Sequence, residues 1–137
     1  MINPKFYPFY IALGLSVAFF IVYILLGNQG LILSLEPNES IGDISRWCER
    51  VSGGIFREPS NALSNIGFMI LGLLMFWFLG KDIKSSNSNQ FTGINSISIL
   101  YAGAALFLGP GSLLMHGTHT EWGECCLLYT SPSPRDY

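Results

Sequence analysis

Charged side chains are missing from three long stretches of this chain. Histidines aside, nothing ionised lies between Lys5 and Glu36, between Glu58 and Lys81, or between Lys84 and Glu121. A helix needs roughly 20 apolar residues to cross about 30 Å of hydrocarbon, and each gap is longer than that. Three such gaps leave a soluble fold too little polar surface to face water. Only 12% of the 137 residues are charged, against about a quarter in ordinary soluble domains. The expected class is therefore an all-α integral membrane helical bundle, with spans at about 7–27, 60–79 and 97–116.

The first span, from Tyr7 to Gly27, follows Lys5 and could be read as a secretion signal. Its apolar stretch outlasts the usual signal core of about 7–15 residues. Gly27-Asn28-Gln29 offers no small-x-small cleavage site, so an uncleaved helix is the better reading. Residues 28–57 form a loop carrying Glu36, Glu39, Asp43, Glu49 and three arginines. The second span stops at Gly80-Lys81, and a Ser- and Asn-rich connector leads to the third. Small residues Ala102 to Ala105 suit close packing in lipid. Gly109-Pro110-Gly111 is expected to kink or loosen that span just before its end.

Lys5, Lys81 and Lys84 should share one membrane side, and Arg46, Arg50 and Arg57 the other. The count is even, so the positive-inside rule gives no orientation. The net charge of -2 and the absence of any basic run give no reason to expect a nucleic-acid partner.

The stretch from Cys126 to Asp136 reads as one frame of a transposase-type sequencing adaptor. We therefore expect residues 126–137 to be non-native and residues 1–125 to be the N-terminal part of a longer protein. Cys48 is then the one securely native cysteine, and no disulfide framework or cysteine zinc site is implied.

Two polar clusters interrupt this apolar background. The first is Trp47-Cys48-Glu49 followed by Arg57-Glu58-Pro59-Ser60-Asn61, running on to Ser64-Asn65 at the head of the second span. Glu58, Asn61 and Asn65 fall on one helix face, which in a membrane helix normally points into a bundle. Capping accounts for the same residues: Ser60 or Asn61 at the start, with Glu58 at the positive end of the dipole. The second cluster runs from Gly109 to Thr120, with Ser112 and His116 one turn apart and His119 three residues on. Two histidines alone fall short of catalytic zinc, which takes three protein ligands and an open position. If the second and third spans form a hairpin, Glu58 and His116 must lie at the same membrane face, with Glu49 near them.

In order and spacing, Trp47-Cys48-Glu49, then Arg57-Glu58-Pro59-x-Asn61-x-x-Ser64-Asn65, then Gly109-x-Gly111-Ser112-x-x-x-His116-x-Thr118 resembles the alkaline ceramidase family. These are membrane amide hydrolases of the superfamily that also holds the adiponectin-receptor-like proteins. The bacterial branch is the most similar, with an added N-terminal helix and the continuation to Trp122-Gly123. The resemblance covers about residues 45–123. It implies three transmembrane helices of a seven- or eight-helix parent in a bacterial plasma membrane, hydrolysing an amide bond in a ceramide-like lipid with Zn2+. His116 matches the first zinc histidine, and Ser112 the serine facing the zinc-bound water. Glu49, Glu58 and the backbone carbonyl of Trp47 match a calcium site. Arg46 and Val51 stand where eukaryotic members carry aspartate and asparagine; Asp43 or Glu39 are the substitutes the loop offers. The catalytic aspartate would fall at Leu127, inside the adaptor-like tail, and the His-x-x-x-His pair completing the zinc site belongs to a later helix. The chain alone is thus expected to be inactive. A receptor-like or signalling membrane protein on the same scaffold, without relevant turnover, is the alternative.

Overall fold

The computed structural model describes residues 3–36, 49, 52–82, 93–120, 122, 123 and 126. Trp47, Arg46, Val51, Asp43, Glu39, Leu127 and most of the connector after Asp82 lie outside the described residues. Those that are described form helices and turns, with no strand among them.

A 3-10 turn, Pro4–Phe6, leads into helix α1, Tyr7–Asn28. A short helix α2, Pro59–Ser64, is followed at once by α3, Ile66–Lys81, and then by α4, Ser96–Thr118. Among the described residues, three stretches are long and apolar enough to cross a membrane: Pro4–Asn28, Pro59–Lys81 and Ser96–Thr118, with mean hydropathies of 2.5, 2.0 and 1.7. At 1.5 Å per residue, α4 is about 34 Å long, matching the bilayer core. Large apolar side chains cover the outside, among them Ile11 (62% exposed), Phe78 (64%) and Leu100 (74%). Outward apolar faces of this size suit lipid rather than water. The chain is an integral membrane protein.

The second span is not one continuous helix. Asn65 closes α2 and opens α3. Its side-chain amide donates to the Asn61 carbonyl at 2.6 Å, and the Ser64 hydroxyl donates to the same oxygen at 2.8 Å. The Asn65 backbone N–H reaches Ala62 instead, at 3.3 Å. Side chains that compete in this way for a helix carbonyl loosen the turn that contains it.

Pro110 lies inside α4 and does not end it. α4 continues through it for two further turns, to Thr118. The start of α4 is fixed by a capping box, with Asn95 accepting from the Ser98 N–H and Ser98 accepting from the Asn95 N–H. The Asp82 carboxylate accepts from the Gly93 N–H at 2.8 Å, which ties the two ends of the connector together.

Helices α3 and α4 form an antiparallel hairpin, and α1 packs along it, with Phe6 near Gly80 at one end and Tyr23 near Gly117 at the other. Ala12, Met69, Phe76, Ala102 and Leu106 make one buried cluster. Tyr23, Ile32, Ala62 and Leu113 make a second, nearer the C-terminal end of α4. At the far end, Trp77 packs on Phe6 and Phe9 with ring centroids 5.0 and 5.2 Å away, and the Lys81 ammonium sits 5.0 Å from the Trp77 ring. Aromatic rings with a basic neighbour are typical of a membrane–water boundary. The polar cluster occupies the opposite boundary.

Candidate functional site

The site begins with the end of a helix. The last carbonyls of α4 have no partners within the helix. Two of them are taken by the segment entering α2: the Arg57 N–H donates to the Gly117 carbonyl at 3.1 Å, and the Glu58 N–H to that of His116 at 3.0 Å. These bonds fix residues 57 and 58 against the last turn of α4. The segment is held from its other side by Tyr23 of α1, whose hydroxyl donates to the Ile55 carbonyl at 3.1 Å and whose ring stacks on Phe56. The Arg57 guanidinium is buried and donates to the Leu35 carbonyl.

Glu58 therefore points inward. Its side chain is 1% exposed, and Oε2 lies 2.6 Å from His116 Nδ1. The Asn61 side-chain amide donates to the same oxygen at 3.2 Å. Glu58 Oε1 lies 3.4 Å from His119 Nε2. His119 ends α4 in the left-handed region, φ 54°, where its N–H still reaches the Met115 carbonyl at 2.9 Å. That turn carries its ring back under the helix end, where it is 1% exposed. Beyond that contact with Glu58, its Nε2 has no hydrogen-bond partner among the described residues. Burial lowers the His119 pKa; the Glu58 charge opposes this, while Arg57 and His116 add to it. A desolvated imidazole resists protonation.

Capping is carried out by a different residue from those expected. Glu58 occupies the N-cap position of α2 but makes no side-chain cap bond. Glu49 reaches in from the preceding loop, and its two carboxylate oxygens accept from the Ser60 and Asn61 N–H groups at 2.7 and 2.8 Å. Desolvation raises the Glu49 pKa, but these N–H bonds outweigh it and hold the carboxyl below its ordinary value of 4.5.

Of the residues singled out in the sequence, Glu58 and His116 are in direct contact, and Glu49 sits on the first turn of the helix that Glu58 opens. Ser112 is buried, one turn before His116 on α4. Among the described residues, no three carboxylate, imidazole or thiol groups are disposed to hold a metal ion together. Comparison with known proteins adds nothing to this geometry. No family model, curated protein or solved structure matches the chain.

The Asn61 bond to Glu58 follows the one-face spacing visible in the sequence. The inward turn of His119 had no such signal. Nothing in His-Gly-Thr-His announces a left-handed residue, since glycine is the usual occupant of that conformation.

Proposed function

We propose that this chain contributes one wall of a zinc-dependent amide hydrolase acting on a ceramide-like N-acyl lipid in a bacterial plasma membrane. The observation that carries the reading is the meeting of Glu58 and His116 at one end of a membrane hairpin, with Ser112 buried one turn away. Imidazole, carboxylate and hydroxyl groups clustered at the edge of the hydrocarbon are what a lipid amide needs. Its acyl chain can stay among apolar helices while its polar linkage reaches the cluster.

His116 fits one corner of a zinc site. The other protein ligands, a His-x-x-x-His pair, and the aspartate that would accept the proton of water belong in this proposal to further spans of the parent protein. Zinc, when bound, polarises the amide carbonyl and lowers the pKa of its water. Ser112 donates a hydrogen bond to the carbonyl oxygen as charge develops there, worth about 3 kcal/mol if it acts as an oxyanion donor. Calcium, with Glu49, Glu58 and the Trp47 carbonyl as donors, fits the described residues less well. Both carboxylates are already held by N–H donors, and calcium takes six to eight oxygens. No step is assigned to it.

The test uses the protein encoded by the intact gene, purified in detergent. It should contain zinc and release fatty acid from an N-acyl sphingoid lipid. His116→Ala should lose the zinc; Ser112→Ala should keep it and turn over about 10²–10³-fold more slowly. A zinc-free protein, or one with no amidase activity on such lipids, refutes the proposal.

A further inference from the structure

We propose that Glu58 is the positioning carboxylate of His116: it accepts the Nδ1–H and so leaves Nε2 as the nitrogen that carries the lone pair. What Nε2 then does rests on the hydrolase reading; the contact and the tautomer do not.

The contact is held at two levels. The Glu58 backbone N–H donates to the His116 carbonyl at 3.0 Å, and the Glu58 carboxylate meets the His116 ring at 2.6 Å. One residue thus binds both the main chain and the side chain of the other, and the start of α2 cannot shift against the end of α4 without breaking both bonds. Glu58 Oε2 also receives the Asn61 amide N–H at 3.2 Å. An oxygen receiving that donor is acting as an acceptor, and an ionised carboxylate has only acceptors to offer. On this proposal the hydrogen between Oε2 and Nδ1 sits on the imidazole, 2.6 Å from the carboxylate. A neutral imidazole with its proton on Nδ1 has its lone pair on Nε2.

Other roles for Glu58 are already filled. It stands at the N-cap of α2, yet Glu49 caps that helix. It is not a surface charge, being 1% exposed. Its second oxygen faces His119 Nε2 at 3.4 Å, so the carboxylate lies between two imidazoles. Burying a carboxylate is costly unless its partners are well placed. Histidines that bind metals commonly give their second N–H to such a carboxylate, which sets both tautomer and ring orientation.

The experiment is nitrogen-15 NMR of histidine-labelled chain in detergent micelles at pH 8, with chelator and no metal. The chain has two histidines, so His119→Gln assigns the spectrum. The wild type should show His116 protonated on Nδ1 and bare on Nε2. Glu58→Leu should move it to the Nε2–H form favoured by free imidazole, while Glu58→Gln, whose amide oxygen still accepts, should preserve the wild-type tautomer. A wild-type His116 bare on Nδ1, or protonated on both nitrogens, overturns the proposal, as does a tautomer unchanged in Glu58→Leu. If the leucine variant does not fold, the wild type and Glu58→Gln decide between these outcomes. In the intact protein, Glu58→Leu should weaken zinc binding by about 10–100-fold. The Nδ1–H tautomer in a protein that binds no zinc would leave the positioning contact standing and remove the hydrolase reading. The Nε2–H tautomer in an active zinc enzyme would do the reverse.

Discussion

Gly72 of α3 lies against the backbone of Leu106 on α4. A Cβ at position 72 would stand 2.6 Å from the Leu106 Cα and 2.7 Å from its Cβ and N. Carbon atoms prefer about 3.5–4.0 Å, and backbone cannot swing aside as a side-chain tip can. Gly72→Ala must therefore push the two helices roughly 1 Å apart, and a gap of that size forfeits a quarter to a half of each contact it opens. Overpacking of this kind costs about 1–3 kcal/mol. Alanine also gains up to about 1 kcal/mol of helix propensity over glycine, which would mask part of the loss. Gly103→Ala supplies the correction, since a Cβ there meets nothing within 4 Å. The propensity gain is common to both variants, so their difference isolates the helix contact at about 1–3 kcal/mol. Unfolding in mixed micelles with rising SDS, followed by circular dichroism, measures it. Equal stability of the two variants would refute the hairpin packing, and with it the placing of Glu58 beside His116.

Tyr23→Phe should cost about 0.5–1.5 kcal/mol in the same assay by removing the bond to the Ile55 carbonyl; an unchanged midpoint would mean that water already satisfies that carbonyl. The Glu49 carboxyl is held below 4.5 in the fold, so its contribution is fully present above that pH and is lost as the pH falls through the lowered value. The melting temperature of Glu49→Gln should therefore lie below wild type at neutral pH and converge with it in acid; a gap independent of pH would sink this account. If calcium ties the first loop to α2, chelator should lower the wild-type melting temperature and Glu58→Gln should abolish that response, whereas a wild type indifferent to chelator removes calcium.

The spans were legible because charge is excluded from hydrocarbon, a constraint that acts on every residue of a stretch at once. Single-residue events were not. The break at Asn65 depends on two side chains competing for the Asn61 carbonyl, and asparagine in a helix gives no sign of which way its amide turns. Pro110 does not end α4, because a helix packed on neighbours along its length tolerates one missing N–H. The cap by Glu49 comes from 11 residues before Ser60, so no local pattern contains it. Connectivity alone placed Glu58 and His116 at one end, and this held because a hairpin leaves no alternative. Their 2.6 Å contact depends on the backbone pairing of residues 57 and 58 with the end of α4, which the sequence did not disclose.

That pairing depends in turn on how closely the helices approach. Lipid tails are as apolar as the helices, so packing and hydrogen bonds, rather than expulsion of water, hold a membrane hairpin together. Gly109 admits Met69 and the Asn65 carbonyl, the latter 2.9 Å from where a Cβ would stand, so α4 meets α3 just where the second span breaks. Gly117 admits the Tyr23 hydroxyl, which reaches past it to the Ile55 carbonyl. A side chain at 117 would push Tyr23 off the segment that leads into Glu58, and the N–H groups of 57 and 58 would lose their register on α4. Gly109 and Gly117, spaced on either side of Ser112 and His116, thus set the distance at which the carboxylate meets the imidazole. Their chemical role is indirect: they let backbone come close enough for Glu58 and His116 to be held rather than merely to be near.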